Sequence, residues 1–155
     1  MEIGENRTGV KVLALLSFIL MIAVNALENL LPINGITTAE VLEMYENLFA
    51  PAGFTFAIWG LIYLLLLLYT LYLLGLFRGN LSYANKELSR RVGILFSISS
   101  LANTAWIFCW HYDYILLSTL LMAIILLCLI FINRAISAVE LSARDSFFIK
   151  LPFQV

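Results

Sequence analysis

The sequence predicts an all-α integral membrane protein, built as a bundle of four complete transmembrane helices. The chain is 63% hydrophobic and 12% charged, with a mean hydropathy of +0.98. Soluble domains contain about 45–50% apolar and about 25% charged residues, so a soluble chain of this length could not cover its apolar surface. Four long apolar runs approach the roughly 20 residues that a bilayer-spanning helix needs. The basic residues alternate with these runs, as in multi-pass proteins.

The predicted spans are residues 12–27, 54–77, 92–110 and 114–132, within a single transmembrane domain that covers residues 1–155. The first run is short, so the Lys11 side chain is expected to extend to the interface. Between the first two runs, a Thr-x-x-Glu capping pattern opens a segment with one apolar face. We therefore predict an interfacial helix at about residues 38–49.

The distribution of charge predicts the orientation of the chain. All nine basic residues lie before the first run, between the second and third, or after the fourth: Arg7, Lys11, Arg78, Lys86, Arg90, Arg91, Arg134, Arg144 and Lys150. The segment between the first two runs contains only acidic charges, among them Glu28 and Glu40. Because basic loops stay cytoplasmic, we expect a multi-pass protein of the cell membrane with both termini in the cytoplasm.

Several classes of function are disfavoured by the residue content. The net charge of −1 gives no reason to expect nucleic acid binding. No ionisable residue lies inside a run, which argues against a proton relay and against acid–base catalysis, so no enzyme and no catalytic residue is predicted. Cys109 and Cys128 lack metal-type spacing, and His111 beside Asp113 is interpreted as a turn residue. No metal and no cofactor is therefore expected.

Polar and aromatic residues on particular helix faces mark a candidate ligand site. Ser99, Asn103, Trp106 and Trp110 are spaced four, three and four residues apart, which places them on one face of a helix. A buried amide without a partner costs roughly 2–7 kcal/mol, so this face should meet other helices or a cavity. The candidate ligand-binding residues all lie in the predicted outer halves of the first three spans: Asn25, Trp59, Tyr63, Asn103, Trp106 and Trp110.

Aromatic walls with a few hydrogen-bonding groups suit a flat, largely apolar ligand. Tryptophan and tyrosine near span ends are also common interfacial anchors, and Asn or Ser often joins packed helices. Both interpretations remain open from the pattern alone.

A resemblance to a known family rests on motifs that occur in the same order along the chain. They are Pro51, Phe54, Trp59, Ile62 and Tyr63 at the second span, Asn103 and Trp106 in the third, and Pro152-Phe153 near the end. In these residues the chain resembles the translocator protein family, also called tryptophan-rich sensory proteins (TspO/MBR). The resemblance implies a five-span fold and an intramembrane cavity for tetrapyrroles, sterols or similar molecules.

The chain also departs from that family. It has only three tryptophans, and Leu31-Pro32 stands where the family usually carries Trp-Tyr and Lys-Pro. The sequence stops where the fifth span would open, at Pro152-Phe153, so the expected fold is the family fold truncated at that point. These differences indicate a divergent branch.

The leading functional prediction is a membrane module that binds, senses or transports a hydrophobic small molecule, such as a tetrapyrrole or a sterol-like ligand. The expected partners are the lipid bilayer and a porphyrin-like molecule, with a second copy of the chain as a further candidate. The alternative is a membrane subunit without its own ligand, which assembles with other helices as a permease partner or a homo-oligomer.

Overall fold

The computed structural model describes residues 2–30, 33–35, 57–77 and 83–154, which form helices joined by turns and contain no strand. The helices are α1 (Glu2–Leu30), α2 (Ala57–Leu74), α3 (Tyr83–His111) and α4 (Ile115–Ser137). A 3₁₀ turn, Ile33–Gly35, follows α1. The predicted all-α class is thus confirmed. The predicted interfacial helix at 38–49 and the predicted start of the second span lie outside the described residues.

After α4, the chain forms three successive helical turns, which we call the C-terminal segment: Ala143–Asp145, Ser146–Lys150 and Leu151–Phe153. The Ser142 hydroxyl begins this segment by accepting a hydrogen bond from the Asp145 N–H at 3.1 Å, as N-cap residues commonly do.

Three of the helices contain stretches long and apolar enough to cross a membrane: Thr8–Glu28, Lys86–His111 and Ile115–Ser137. The apolar part of α2, Ile58–Leu74, is shorter. At a rise of 1.5 Å per residue it covers about 25 Å, slightly less than the roughly 30 Å of a hydrocarbon core. The residues immediately before it are not among those described. The protein therefore has the helices of a membrane protein.

The helices form an antiparallel bundle with two distinct ends. The tight turn Tyr112–Tyr114 reverses the chain between α3 and α4, with Asp113 at a φ of +60°, a conformation that aspartate tolerates. We call this end the hairpin end. At the opposite end, the Lys11 ammonium donates to the Leu74 carbonyl at 3.4 Å, which joins the first half of α1 to the last turn of α2. We call it the basic end.

Close packing at the basic end depends on Gly93 of α3. A Cβ atom at this position would lie 2.8 Å from Val10 Cγ1 and 3.4 Å from Leu73 Cδ2. Since the valine side chain is branched at Cβ and has little freedom to move, only glycine lets α1, α2 and α3 approach this closely.

An aromatic core fills the basic half of the bundle. Tyr69, Tyr72 and Phe96 are almost completely buried. The C-terminal segment packs against them: the Phe148 ring stacks on Tyr72 with centroids 5.2 Å apart, and Phe153 meets Tyr69 edge-on at 5.0 Å. The segment predicted to open a fifth span is therefore packed into the bundle through its aromatic residues.

A hydrogen bond holds the C-terminal segment at the same place. The Tyr72 hydroxyl donates to Asp145 Oδ1 at 2.7 Å, and both side chains are buried. Buried carboxylates need such partners, because an uncompensated charge in an apolar interior is very costly.

Most of the α4 surface points away from the bundle. Only Ser118, Cys128, Ile132 and Ile136 are buried. Leu116, Leu120 and Ile124 are 77%, 53% and 41% exposed, as a helix face that meets lipid would be. An apolar helix with a narrow buried strip is stable in a bilayer, where acyl chains solvate leucine well.

Candidate functional site

A chain of hydrogen bonds joins three of the predicted site residues in the hairpin half of the bundle. The Asn25 amide of α1 donates to Asn103 Oδ1 of α3 at 2.9 Å. The Tyr63 hydroxyl of α2 donates to Asn25 Oδ1 at 2.8 Å. The structure therefore brings one predicted residue from each of α1, α2 and α3 into direct contact.

The orientation of both amides follows from a single backbone contact. Asn25 Nδ2 also donates to the Met21 carbonyl of its own helix at 2.8 Å. A carbonyl can only accept, so the nitrogen must point there, and Asn25 Oδ1 must face the Tyr63 hydroxyl. Asn103 then presents its oxygen to Asn25.

One polar atom in this series of hydrogen bonds, Asn103 Nδ2, is not used by Asn25 or Tyr63. Asn103 is only partly buried, and no hydrogen bond from its Nδ2 occurs among the residues described. An amide nitrogen carries two donors. The arrangement thus holds an oriented donor that a carbonyl or carboxylate of a bound molecule could use.

Aromatic rings flank the asparagines on two helices. Trp59 and Tyr63 of α2 lie with ring centroids 6.2 Å apart and tilted planes. Trp106 and Trp110 of α3 stack at 6.0 Å. Trp59 is 40% exposed, and both α3 tryptophans are half-buried. Within the described part of the chain, no ring contact joins the α2 pair to the α3 pair, so the two pairs form separate aromatic surfaces.

The interpretation of His111 as a turn residue was wrong. It is the last residue of α3 and is buried, because the helix continues far enough to turn the ring inward. Its Nδ1 lies 2.8 Å from the Ile107 carbonyl, and its Nε2 lies 3.7 Å from Oε1 of the buried Glu28. The Asn34 amide donates to the His111 carbonyl at 3.3 Å, which places the 3₁₀ turn against the end of α3.

The contacts of His111 define its chemistry. The Ile107 carbonyl can only accept, so Nδ1 carries a proton and Nε2 faces the carboxyl group. At 3.7 Å the two groups form an ion pair when the ring is protonated, although the distance exceeds that of a hydrogen bond. In the described ranges no group of three His, Cys, Asp or Glu side chains is placed to hold a metal ion.

The sequence spacing could have predicted the contact between Glu28 and His111. Glu28 follows Asn25 by three residues, and His111 follows Asn103 by eight, so each lies on the same helix face as its asparagine. The two faces that meet through the asparagines therefore meet again one to two turns further along.

The family comparison supports the resemblance predicted from the motifs. A family model described as TSPO-like protein matches residues 11–155. Searches of curated proteins and of solved structures gave no match. The matched range includes all six candidate ligand-binding residues and the C-terminal segment. The chain belongs to the TSPO-like protein family.

Proposed function

We propose that the protein binds a hydrophobic small molecule, of the tetrapyrrole or sterol-like class, at the hairpin end of α1, α2 and α3. The observation that carries this proposal is the Asn103 amide, which is oriented by Asn25 and lies on the same helix face as the stacked Trp106 and Trp110. Membership in the TSPO-like family supports a ligand-binding or transport-related membrane role. Binding is the step that sensing and transport have in common.

Each residue has a distinct part in the proposed site. Trp59 and Trp106 offer ring faces for stacking, worth about 0.5–1.5 kcal/mol beyond the burial of area. Asn103 Nδ2 donates one hydrogen bond to the ligand, worth roughly 0.5–1.5 kcal/mol net. Asn25 and Tyr63 position that amide rather than contacting the ligand through their own hydrogen bonds.

The alternative function, a subunit that assembles with other helices, receives less support from the same contacts. Polar residues hold transmembrane helices together when they bond across an interface. Here the Asn25 amide and the Tyr63 hydroxyl are already used between helices of one chain. These polar groups are therefore not left over for binding the helices of a partner, which was the main argument for the alternative function.

We also propose that the hairpin end faces the outside of the cell and that the basic end faces the cytoplasm. Lys86, Arg91, Arg134 and Lys150 belong to the first turns of α3, the last turns of α4 and the C-terminal segment, and basic residues favour the cytoplasmic side.

Cysteine labelling tests this orientation. In a variant with Cys109→Ala and Cys128→Ala, an impermeant maleimide applied to intact cells should label Tyr112→Cys but not Ser137→Cys. Labelling of Ser137→Cys alone would reverse the orientation.

The binding proposal is tested by titrating the detergent-purified protein with protoporphyrin and following its absorption spectrum. The parent protein should bind saturably, and Asn103→Leu should weaken binding by about fivefold, the equivalent of roughly 1 kcal/mol. Thr119→Val is the control, since it removes a hydroxyl group from the exposed surface of α4. Absence of saturable binding in the parent, or equal affinity in Asn103→Leu, would contradict the proposal.

A further inference from the structure

A groove lies between α3 and α4 at the basic end, far from the proposed ligand site. Its volume is about 460 Å³, within the range of roughly 300–1,000 Å³ that small-molecule sites occupy. Three arginines line it, Arg90 and Arg91 from α3 and Arg134 from α4. The rest of the lining is apolar and includes Phe131 and Ala135. The groove thus combines cationic and apolar side chains.

The three arginines differ in how their charge is balanced. Arg90 forms a two-pronged ion pair with Glu87, with distances of 2.8 and 3.0 Å. Arg91 and Arg134 are exposed, and neither has a hydrogen bond or ion pair among the described residues. Two guanidinium groups from facing helices therefore border the groove without an anionic partner in this part of the chain.

The position of the groove along the helices places Arg91 and Arg134 at a membrane surface. Arg91 precedes His111 by about 20 residues and Arg134 follows Ile115 by nearly as many, which corresponds to about 30 Å along each helix. This length matches the thickness of the hydrocarbon core. When the hairpin turn lies at one interface, both arginines lie at the headgroup level of the other.

We propose that this groove binds an anionic phospholipid. The headgroup phosphate lies between Arg91 and Arg134, because guanidinium groups bind phosphate oxygens with paired, charge-assisted hydrogen bonds. One acyl chain runs from there toward the bilayer centre, past Phe131 and Leu95. Basic pockets between helices at the cytoplasmic surface are suited to such lipids. This site is independent of the proposed small-molecule site and remains if that proposal fails.

Lipid retention measured by native mass spectrometry tests the proposal. The protein is released from detergent with equal amounts of phosphatidylglycerol and phosphatidylcholine carrying identical acyl chains. We expect about tenfold preferential retention of phosphatidylglycerol, since each nearby Arg contributes an attraction for anionic lipid. Equal retention of the two lipids would overturn the proposal. Displacement of the bound lipid by millimolar inorganic phosphate would also overturn it, because the acyl chain would then add nothing.

Substitutions locate the site. The double variant Arg91→Gln/Arg134→Gln should lose the preference, whereas Arg91→Lys/Arg134→Lys should keep part of it, because the charge remains but the paired guanidinium contacts are lost. Arg144→Gln, an exposed basic residue at the same end but outside the groove, should retain the parent preference. Ala135→Leu narrows the groove beside Arg134 without changing any charge and should lower retention of both lipids. Full preference in the double Gln variant, or loss of preference in Arg144→Gln, would refute this placement.

A substitution in the Arg90–Glu87 pair should raise lipid retention instead of lowering it. Glu87→Gln releases Arg90 and removes an anion next to the groove, so retention of phosphatidylglycerol should rise a few-fold while that of phosphatidylcholine stays constant. A decrease would contradict the assignment of the phosphate position. Because this variant gains affinity, misfolding cannot produce the expected result.

Discussion

The two ends of the bundle are built from similar residue types but are closed in different ways. At the basic end, Tyr69, Tyr72 and Phe96 are fully buried and the C-terminal segment packs over them. At the hairpin end, Trp59 remains 40% exposed, and hydrogen bonds through Asn25 join α1, α2 and α3. Aromatic residues thus contribute packing at one end and leave accessible ring surface at the other.

This difference has a physical basis in the membrane environment. Lipid chains are as apolar as leucine, so helices associate through close packing and hydrogen bonds rather than through the hydrophobic effect. Gly93 and the aromatic rings supply close packing at the basic end. The asparagines supply directional contacts at the hairpin end, where half-buried tryptophans belong to the proposed ligand site. We therefore expect stability to depend mainly on the basic end and binding on the hairpin end.

Substitution of glycine by leucine at each end should give the largest contrast. Gly93→Leu inserts a side chain where a single Cβ would already lie 2.8 Å from Val10. Overpacking of this kind costs about 1–3 kcal/mol, and we expect a clear loss of thermal stability in detergent. Gly60→Leu is the control, because a Cβ at Gly60 has no neighbour within 4 Å. Equal destabilisation by both variants would remove the distinction between the ends.

Removal of one tyrosine hydroxyl at each end should give a smaller and more selective contrast. Tyr72→Phe takes a hydrogen bond from the buried Asp145 carboxylate and should lower stability by about 1–2 kcal/mol without changing porphyrin affinity. Tyr63→Phe takes a hydrogen bond from Asn25 and should affect binding more than stability. Thermal melts and porphyrin titrations of both variants measure the two effects. If Tyr63→Phe lowered stability and Tyr72→Phe lowered porphyrin affinity, the hairpin end would be the structural core.

Much of the fold could be predicted because membrane insertion depends on local hydropathy and charge. The apolar runs and the grouping of Lys and Arg follow directly from chain positions. The contact between Asn25 and Asn103 was also accessible, since a lone amide in a span needs a partner and spacing identifies its face. The TSPO-like family was predicted from the order of short motifs and is confirmed by the family model.

The features that could not be predicted depend on where helices end and on long-range packing. Whether His111 lies in a turn or completes α3 decides whether its ring meets Glu28, and helix ends are poorly determined by local sequence. The docking of Phe148 and Phe153 depends on rings such as Tyr72, Tyr69 and Phe96, which precede them by more than 50 residues in the chain. No pattern around Pro152 identifies those partners.

The most direct test of the account is the porphyrin affinity of Trp106→Leu compared with that of Phe108→Leu, measured by quenching of the remaining tryptophan fluorescence. Trp106 lies on the Asn103 face of α3, whereas Phe108 is exposed on another side of the same helix. Loss of ring stacking and area should weaken binding by about tenfold in Trp106→Leu. Phe108→Leu should bind like the parent. Unchanged affinity in Trp106→Leu, or equal losses in both variants, would contradict a ligand site at the hairpin end.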